Sequence, residues 1–132
     1  MNEPRWLLKQ TVIALHELSL AAFGGRAGLR DPNLVDSALA RARNLWAYGD
    51  EPSLYQMAAA IGYGLCKNHP FIDGNKRTAF ISSAVFLERN GLHANAPEFE
   101  VVRVMIALAA GTMGERDFAA WLEQAFPRKT NR

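Results

Sequence analysis

The chain has 132 residues, of which 49% are hydrophobic; this suits one globular domain and excludes a largely disordered chain. The formal net charge of +2, from 15 basic and 13 acidic side chains, is too small for a dense basic stripe, so no direct nucleic-acid binding is expected. The single cysteine excludes an internal disulfide, and the absence of a long apolar stretch predicts no membrane span, so a reducing cytoplasm is the expected location.

Six helices are predicted in chain order, because apolar residues recur at helical spacing nearly throughout. The first helix carries Leu8, Val12 and Leu15. It ends at Gly24, since a pair of glycines is a typical helix stop. The second helix begins at Asp31, which precedes Pro32 and therefore indicates an N-cap followed by a first-position proline. It ends near Gly49.

The third helix begins near Ser53 and is expected at the centre of the molecule. One of its faces is apolar and consists of Leu54, Met57, Ala58, Ile61 and Leu65. The other face has only small residues, namely Ala59, Ala60, Gly62 and Gly64. Small residues allow close packing, which predicts neighbouring helices on both sides. The helix closes at His69, because the residue before a proline disfavours the helical region.

The remaining three helices complete an all-α fold class. The fourth runs from Asn75 to the helix stop at Asn90, with a core face assigned to Phe80, Ala84 and Leu87. The fifth is marked by Phe99, Val102, Ile106 and Ala109, and the sixth by Phe118, Trp121, Leu122 and Ala125. The prediction is a single compact bundle of about six helices over residues 1–127, followed by a flexible C-terminal tail at 128–132.

A polar segment between the third and fourth helices carries the candidate site, with the sequence HPFIDGNKR at 69–77. Gly74 stands where the fourth helix should start, and the first N–H groups of a helix have no partner within it. The helix dipole adds partial positive charge there, and Lys76 and Arg77 add two full charges. Together these groups predict a phosphate-binding helix start.

Two further residues of the segment could supply chemistry. Asp73 could hold Mg²⁺, which takes oxygen ligands and shares them with phosphates. His69 could accept a hydroxyl proton, because histidine changes charge near neutral pH. Phe71 and Ile72 are predicted to anchor the loop. Each residue alone also has an ordinary structural explanation, but their joint occurrence favours transfer of a phosphoryl or nucleotidyl group to a hydroxyl.

The motif formed by His69, Pro70, Phe71, Asp73, Gly74 and Asn75 resembles the signature of the Fic/Doc family. The similarity extends beyond the motif to Gly24–Gly25, Gly28–Asp31, Ser37–Arg41 and Lys67–Asn68, which are similar to the Doc (death-on-curing) branch. Members of that branch are compact all-helical toxins of toxin–antitoxin pairs. The resemblance therefore implies this fold and this role.

Two positions of the motif distinguish the branches. AMP-transferring Fic proteins have a second glycine after the asparagine and a second arginine three residues after the first; this chain has Lys76 and Phe80 there. The resemblance to Doc implies ATP bound in reverse, with its γ-phosphate facing the target. It implies a protein kinase that phosphorylates a threonine of elongation factor Tu and so arrests translation and growth. AMP transfer to a protein hydroxyl and a non-catalytic binding module that kept the fold are the alternatives.

Carried over residue by residue, the resemblance assigns catalytic roles to His69 as the general base and to Asp73, which would also bind Mg²⁺. The ATP phosphates would be held by Gly74, Asn75, Lys76 and Arg77. Self-inhibited family members carry a serine or threonine followed four residues later by glutamate, a pattern that this sequence lacks. The resemblance therefore implies a cognate antitoxin, whose disordered segment would fold on binding.

Overall fold

The computed structural model describes residues 1–128 and confirms the all-α fold class. The six helices are α1 (Lys9–Phe23), α2 (Pro32–Tyr48), α3 (Leu54–Asn68), α4 (Asn75–Arg89), α5 (Glu98–Ala110) and α6 (Glu115–Ala125). The described residues form no strand, only an isolated antiparallel bridge between Leu29 and Phe71. Across residues 1–128, no helix has both the length and the hydropathy needed to cross a membrane.

The predicted tail is described only in part, because residues 129–132 lie outside the described residues. Arg128, its first residue, places its guanidinium 5.1 Å from the centre of the Tyr55 ring and hydrogen-bonds to Glu123 at 3.3 Å. The division of the chain at residue 127 therefore stays a prediction.

Local capping interactions explain where α1 ends and where α2 and α3 begin. The backbone carbonyl of Leu20 accepts a hydrogen bond from Gly24, which has a left-handed φ of 82° and closes α1. The Asp31 side chain accepts from the N–H of Asn33 at 3.0 Å and caps α2. Ser53 and Gln56 form a reciprocal capping box at the start of α3. These are the boundaries that the sequence predicts.

Helix α3 is the central helix, with α2, α4 and α6 packed around it. Its small face is buried as closely as its apolar face. A Cβ added to Gly62 would lie 2.2 Å from Ser83 Oγ of α4 and 2.9 Å from a ring carbon of Phe118 of α6. A Cβ at Gly64 would lie 3.1 Å from the Cβ of Ala38 of α2. The small residues are therefore what lets three neighbours approach one helix.

Two helix faces differ from the pattern-based expectation. In α4, Phe80 and Leu87 are buried as predicted, but Ser82 and Ser83 are fully buried too. Ser83 compensates for its burial by donating its hydroxyl to the Ala58 carbonyl at 2.7 Å. In α5 the buried residues are Val104 and Leu108. The apolar residues that mark α5 in the sequence are exposed, namely Phe99, Val102 and Ile106.

Candidate active site

The segment between α3 and α4 lines an open cleft of about 550 Å³. The structure brings all six predicted site residues to this cleft, namely His69, Asp73, Gly74, Asn75, Lys76 and Arg77. The C-terminal end of α1 and the glycines after it contribute Phe23, Gly24 and Gly25 to the lining, and α5 contributes Ala109. The cleft therefore joins parts of the chain that are far apart in sequence.

His69 caps the end of α3 in a left-handed backbone conformation, with φ 51° and ψ 59°. A non-glycine residue in this region stores conformational strain, and surrounding contacts must hold it there. Its N–H donates to the Leu65 carbonyl at 3.3 Å. The side chain is exposed, and its ring forms no hydrogen bond with any described residue. The imidazole is thus accessible from the cleft.

Arg30, in the connection between α1 and α2, holds the end of α3 in place. Its Nε donates to the carbonyl of His69 at 2.8 Å, and its Nη2 donates to the carbonyl of Asn68 at 2.9 Å. The N–H groups of Arg30 and Asp31 both donate to the Pro70 carbonyl, at 2.7 and 3.1 Å. One short connection therefore fixes three successive carbonyls, and it supplies the contacts that the strained backbone requires.

Asp73 receives two backbone N–H groups on its carboxylate. Oδ2 accepts from Arg26 at 3.0 Å, and Oδ1 accepts from Gly74 at 2.8 Å. These hydrogen bonds, the one from Arg26 foremost, lower the pKa of Asp73 below its ordinary value, and the charge of Arg77 adds to the effect. The carboxylate is therefore ionised at neutral pH. It has about four acceptor sites, so it retains capacity for a cation.

Gly25 gives the Arg26 N–H access to that carboxylate. Its φ is 125°, a conformation that side chains disfavour, and an added Cβ would lie 3.0 Å from Oδ2 of Asp73 and 2.9 Å from Leu20. The glycine pair is thus more than a helix stop, because its second member lets the backbone approach the site.

The start of α4 presents unpaired backbone donors. Gly74 is the N-cap, with φ 78°, and the first backbone hydrogen bond of the helix runs from Thr78 to Gly74 at 3.0 Å. The N–H groups of Asn75, Lys76 and Arg77 consequently have no partner within the helix. The positive end of the helix dipole lies at the same place. This arrangement suits an anion, as the sequence predicts.

The three polar side chains of this first turn are engaged differently. Lys76 is exposed. Arg77 donates Nη2 to the Gly24 carbonyl at 2.8 Å and lies over the Phe23 ring, 5.5 Å from its centre. Asn75 accepts from the N–H of Phe71 at 3.0 Å and donates to the carbonyl of Phe71 at 2.9 Å. The Asn75 amide thus braces the loop, and its backbone N–H is the group left for a ligand.

Two predicted anchors and one unpredicted residue complete the loop. Phe71 is buried, as expected of an anchor, but Ile72 is 45% exposed. His16 of α1, which the motif does not include, is 3% exposed and stacks on Phe71 with ring centres 3.8 Å apart. Its Nε2 lies 2.7 Å from the carbonyl oxygen of Asp73. A contact across 57 positions leaves no local signal in the sequence.

The donor set of the cleft fits one metal in particular. Within residues 1–128, no cluster of three or more His, Cys, Asp or Glu side chains could hold a metal ion by itself. Asp73 offers a single ionised carboxylate beside an anion-binding helix start. Mg²⁺ is commonly bound by one or two carboxylates together with substrate phosphates, whereas structural zinc needs about four protein ligands.

Comparison with known proteins identifies the class: residues 6–87 match the model of the Fic/DOC family, and the chain belongs to that family. The particular similarity is to Doc proteins. The chain is 28% identical over 123 residues to the Protein kinase doc of Escherichia phage P1, covering 92% of this chain and 96% of that protein. It is 41% identical over 83 residues to the Toxin Doc of Mycolicibacterium smegmatis, covering 62% and 63%. These relatives place the chain in the Doc branch.

Proposed function

We propose that this chain is the toxin of a toxin–antitoxin pair and an ATP-dependent protein kinase that phosphorylates a hydroxyl, a threonine of elongation factor Tu. One observation carries the proposal. A single cleft combines the exposed imidazole of His69, the ionised carboxylate of Asp73 and the unpaired N–H groups at the start of α4. The names of the two relatives, a protein kinase and a toxin, support the proposed kinase activity and the proposed toxin role.

Phe80 favours phosphoryl transfer over AMP transfer. It occupies the position of the second arginine in AMP-transferring Fic proteins, and it is 8% exposed. Its ring packs against Phe118 and Trp121, with centres 6.4 and 5.8 Å away. This position therefore belongs to the core and offers no cation to the cleft. Lys76, in place of the second glycine, adds a side chain where a nucleotide phosphate would approach the backbone.

In the proposed reaction, His69 accepts the proton of the target hydroxyl. The hydroxyl oxygen forms a bond to the γ-phosphorus of ATP, the bond from that phosphorus to the β–γ bridging oxygen breaks, and ADP leaves. The N–H groups of Asn75, Lys76 and Arg77, with the two cationic side chains, orient the phosphates. Asp73 would hold Mg²⁺, which would neutralise the negative charge that develops on ADP as it leaves. Positioning and charge neutralisation supply most of the rate in such transfers.

Exposed apolar side chains on α1 and α5, two helices that both contribute residues to the cleft, support an antitoxin as partner. Five large apolar side chains on α1 and α5 are exposed, namely Leu18, Phe23, Phe99, Val102 and Ile106. Phe23 and Ala109 of the same two helices line the cleft itself. A disordered antitoxin segment that folds on binding would cover these exposed side chains. We expect a neighbouring open reading frame to encode a short acidic protein. That protein should bind this chain and relieve the growth arrest.

Incubation with elongation factor Tu and ATP labelled at the α- or the γ-phosphate tests the activity. The proposal requires label from the γ position alone, on a threonine of the target. Label from the α position would establish AMP transfer and overturn the kinase proposal. Absence of label from both would reject elongation factor Tu as the substrate. Growth arrest by a folded His69→Ala variant that equals the arrest by the parent would favour a non-catalytic binding module.

A further inference from the structure

His16 is buried under the loop that carries the proposed site, although it does not itself line the cleft. Its ring stacks on Phe71 with an interplanar angle of 9°, and its Nε2 lies 2.7 Å from the Asp73 carbonyl. A Cβ added to Gly74 would be 3.7 Å from its Cδ2. His16 therefore contacts the loop at Phe71, Asp73 and Gly74 together. The only polar atom that it meets there is a carbonyl oxygen, which can only accept, so Nε2 carries the hydrogen.

This hydrogen bond determines the direction of the Gly74 N–H group. The Asp73–Gly74 peptide is trans, so its carbonyl and its N–H point to opposite sides. With the carbonyl held inward by His16, the N–H of Gly74 points outward and meets Oδ1 of Asp73 at 2.8 Å. Glycine adopts both signs of φ with little cost, so Gly74 by itself offers no barrier to rotation of this peptide.

We propose that His16 is a positioning residue that locks the Asp73–Gly74 peptide with its N–H on the Asp73 carboxylate and its carbonyl turned away from the proposed phosphate site. Without its N–H, the peptide can turn over. The turned peptide would release the Asp73 carboxylate from its Gly74 hydrogen bond and direct a carbonyl oxygen toward the bound phosphate, where like partial charges repel. The part of this inference that concerns nucleotide binding rests on the proposed function, whereas the part that concerns peptide orientation does not.

A matched pair of variants tests the lock. His16→Gln and His16→Met both remove the ring, and they have nearly equal length, but only glutamine retains an N–H at the position of Nε2. Two quantities are measured: the amide resonance of Gly74 in ¹⁵N-labelled protein without nucleotide, and the dissociation constant of ATP with Mg²⁺. Ser19→Ala is the control, because Ser19 lies on the same helix, is equally buried and has no hydrogen bond to the loop.

We expect His16→Met to shift the Gly74 amide resonance and to weaken ATP binding about tenfold, the effect of one lost hydrogen bond. The His16→Gln variant should keep the Gly74 resonance and the ATP affinity close to those of the parent protein. Ser19→Ala should change neither the resonance nor the affinity. If His16→Met does not fold, His16→Phe, which keeps a ring on Phe71, replaces it. An unchanged Gly74 resonance in the donor-free variant, or equal shifts with glutamine and methionine, would overturn the lock. Failure of the parent protein to bind ATP would instead reject the proposed function, while the Gly74 comparison would still decide the lock.

Discussion

His69 combines an exposed imidazole with a strained backbone, so its two roles can be separated by the choice of substitution. Asparagine tolerates the left-handed region better than most other non-glycine residues do. We expect His69→Asn to lower the rate of phosphate transfer by about 10² to 10⁴-fold, the usual worth of a general base, with little change in melting temperature. The measurement is transfer of γ-labelled phosphate to elongation factor Tu, with circular dichroism as the control for folding. Transfer at the parental rate would show that His69 is not the base.

The lowered pKa of Asp73 should make the stability of the protein depend on pH. Its pKa is lowered in the folded protein from the ordinary value of 3.8, so the folded state favours the ionised form. The contribution to stability is therefore present above pH 3.8 and is lost as the pH falls through the lower, folded-state pKa. Urea unfolding of the parent and of Asp73→Asn should show a stability difference near neutral pH that disappears in strong acid. A difference that grows on acidification would contradict this interpretation.

At the scale of the helix, the close approach of α4 and α6 to α3 depends on Gly62. We expect Gly62→Ala to destabilise the protein by about 1–3 kcal/mol, the usual cost of an overpacked core, despite the higher helix propensity of alanine. Gly64→Ala should cost less, since its nearest neighbours lie 3.1 Å away rather than 2.2 Å. Adding Ser83→Ala to Gly62→Ala removes the nearest contact and should recover part of the loss. Equal unfolding free energies for both single variants would contradict the packing argument.

The connection between α1 and α2 acts as a brace for the loop that carries the candidate active site. We expect Arg30→Ala to cost about 1 kcal/mol of stability, because it removes two hydrogen bonds to carbonyls at an exposed site, and to weaken binding of ATP. Arg26→Ala is a matched control, since Arg26 contacts Asp73 through its backbone N–H and alanine keeps that group. Thermal unfolding and nucleotide titration measure both effects. If Arg26→Ala lowers stability and ATP binding as much as Arg30→Ala does, the loss of positive charge, and not the loss of the hydrogen bonds to the loop, is the cause.

The sequence predicts element boundaries better than it predicts buried faces. Asp31, Ser53 and Gly24 cap helices through short-range bonds, so their effect is visible locally. In α5, by contrast, apolar residues lie on more than one side, and only the positions of neighbouring helices decide that Val104 is buried and Phe99 exposed. In the candidate site, too, the local features could be predicted from the sequence and the long-range contacts could not. The loop at 69–77 is local, whereas its supports at His16 and Arg30 become neighbours only through folding.

For the whole molecule, the site links distant segments of the chain, so nucleotide binding and global stability should be coupled. The cleft combines the end of α1, the loop after α3, the start of α4 and one residue of α5. A ligand held by several of these elements binds the folded state and has no comparable site in the unfolded chain. Such a ligand stabilises the fold by mass action.

We therefore expect ATP with Mg²⁺, at about 100 times its dissociation constant, to stabilise the protein by about 2.7 kcal/mol, or roughly 8 °C in melting temperature for a domain of this size. The His69→Asn variant should retain this shift, because the proposed base contacts the target hydroxyl rather than the phosphates. Lys76→Ala should show a smaller shift at the same ATP concentration, since it lacks one cation at the start of α4. Chelation of Mg²⁺ should also reduce the shift, because Asp73 would then face the phosphates without a bridging cation. Equal shifts with and without Mg²⁺ would remove the metal role from Asp73, while a full shift in Lys76→Ala would place the phosphates elsewhere in the cleft.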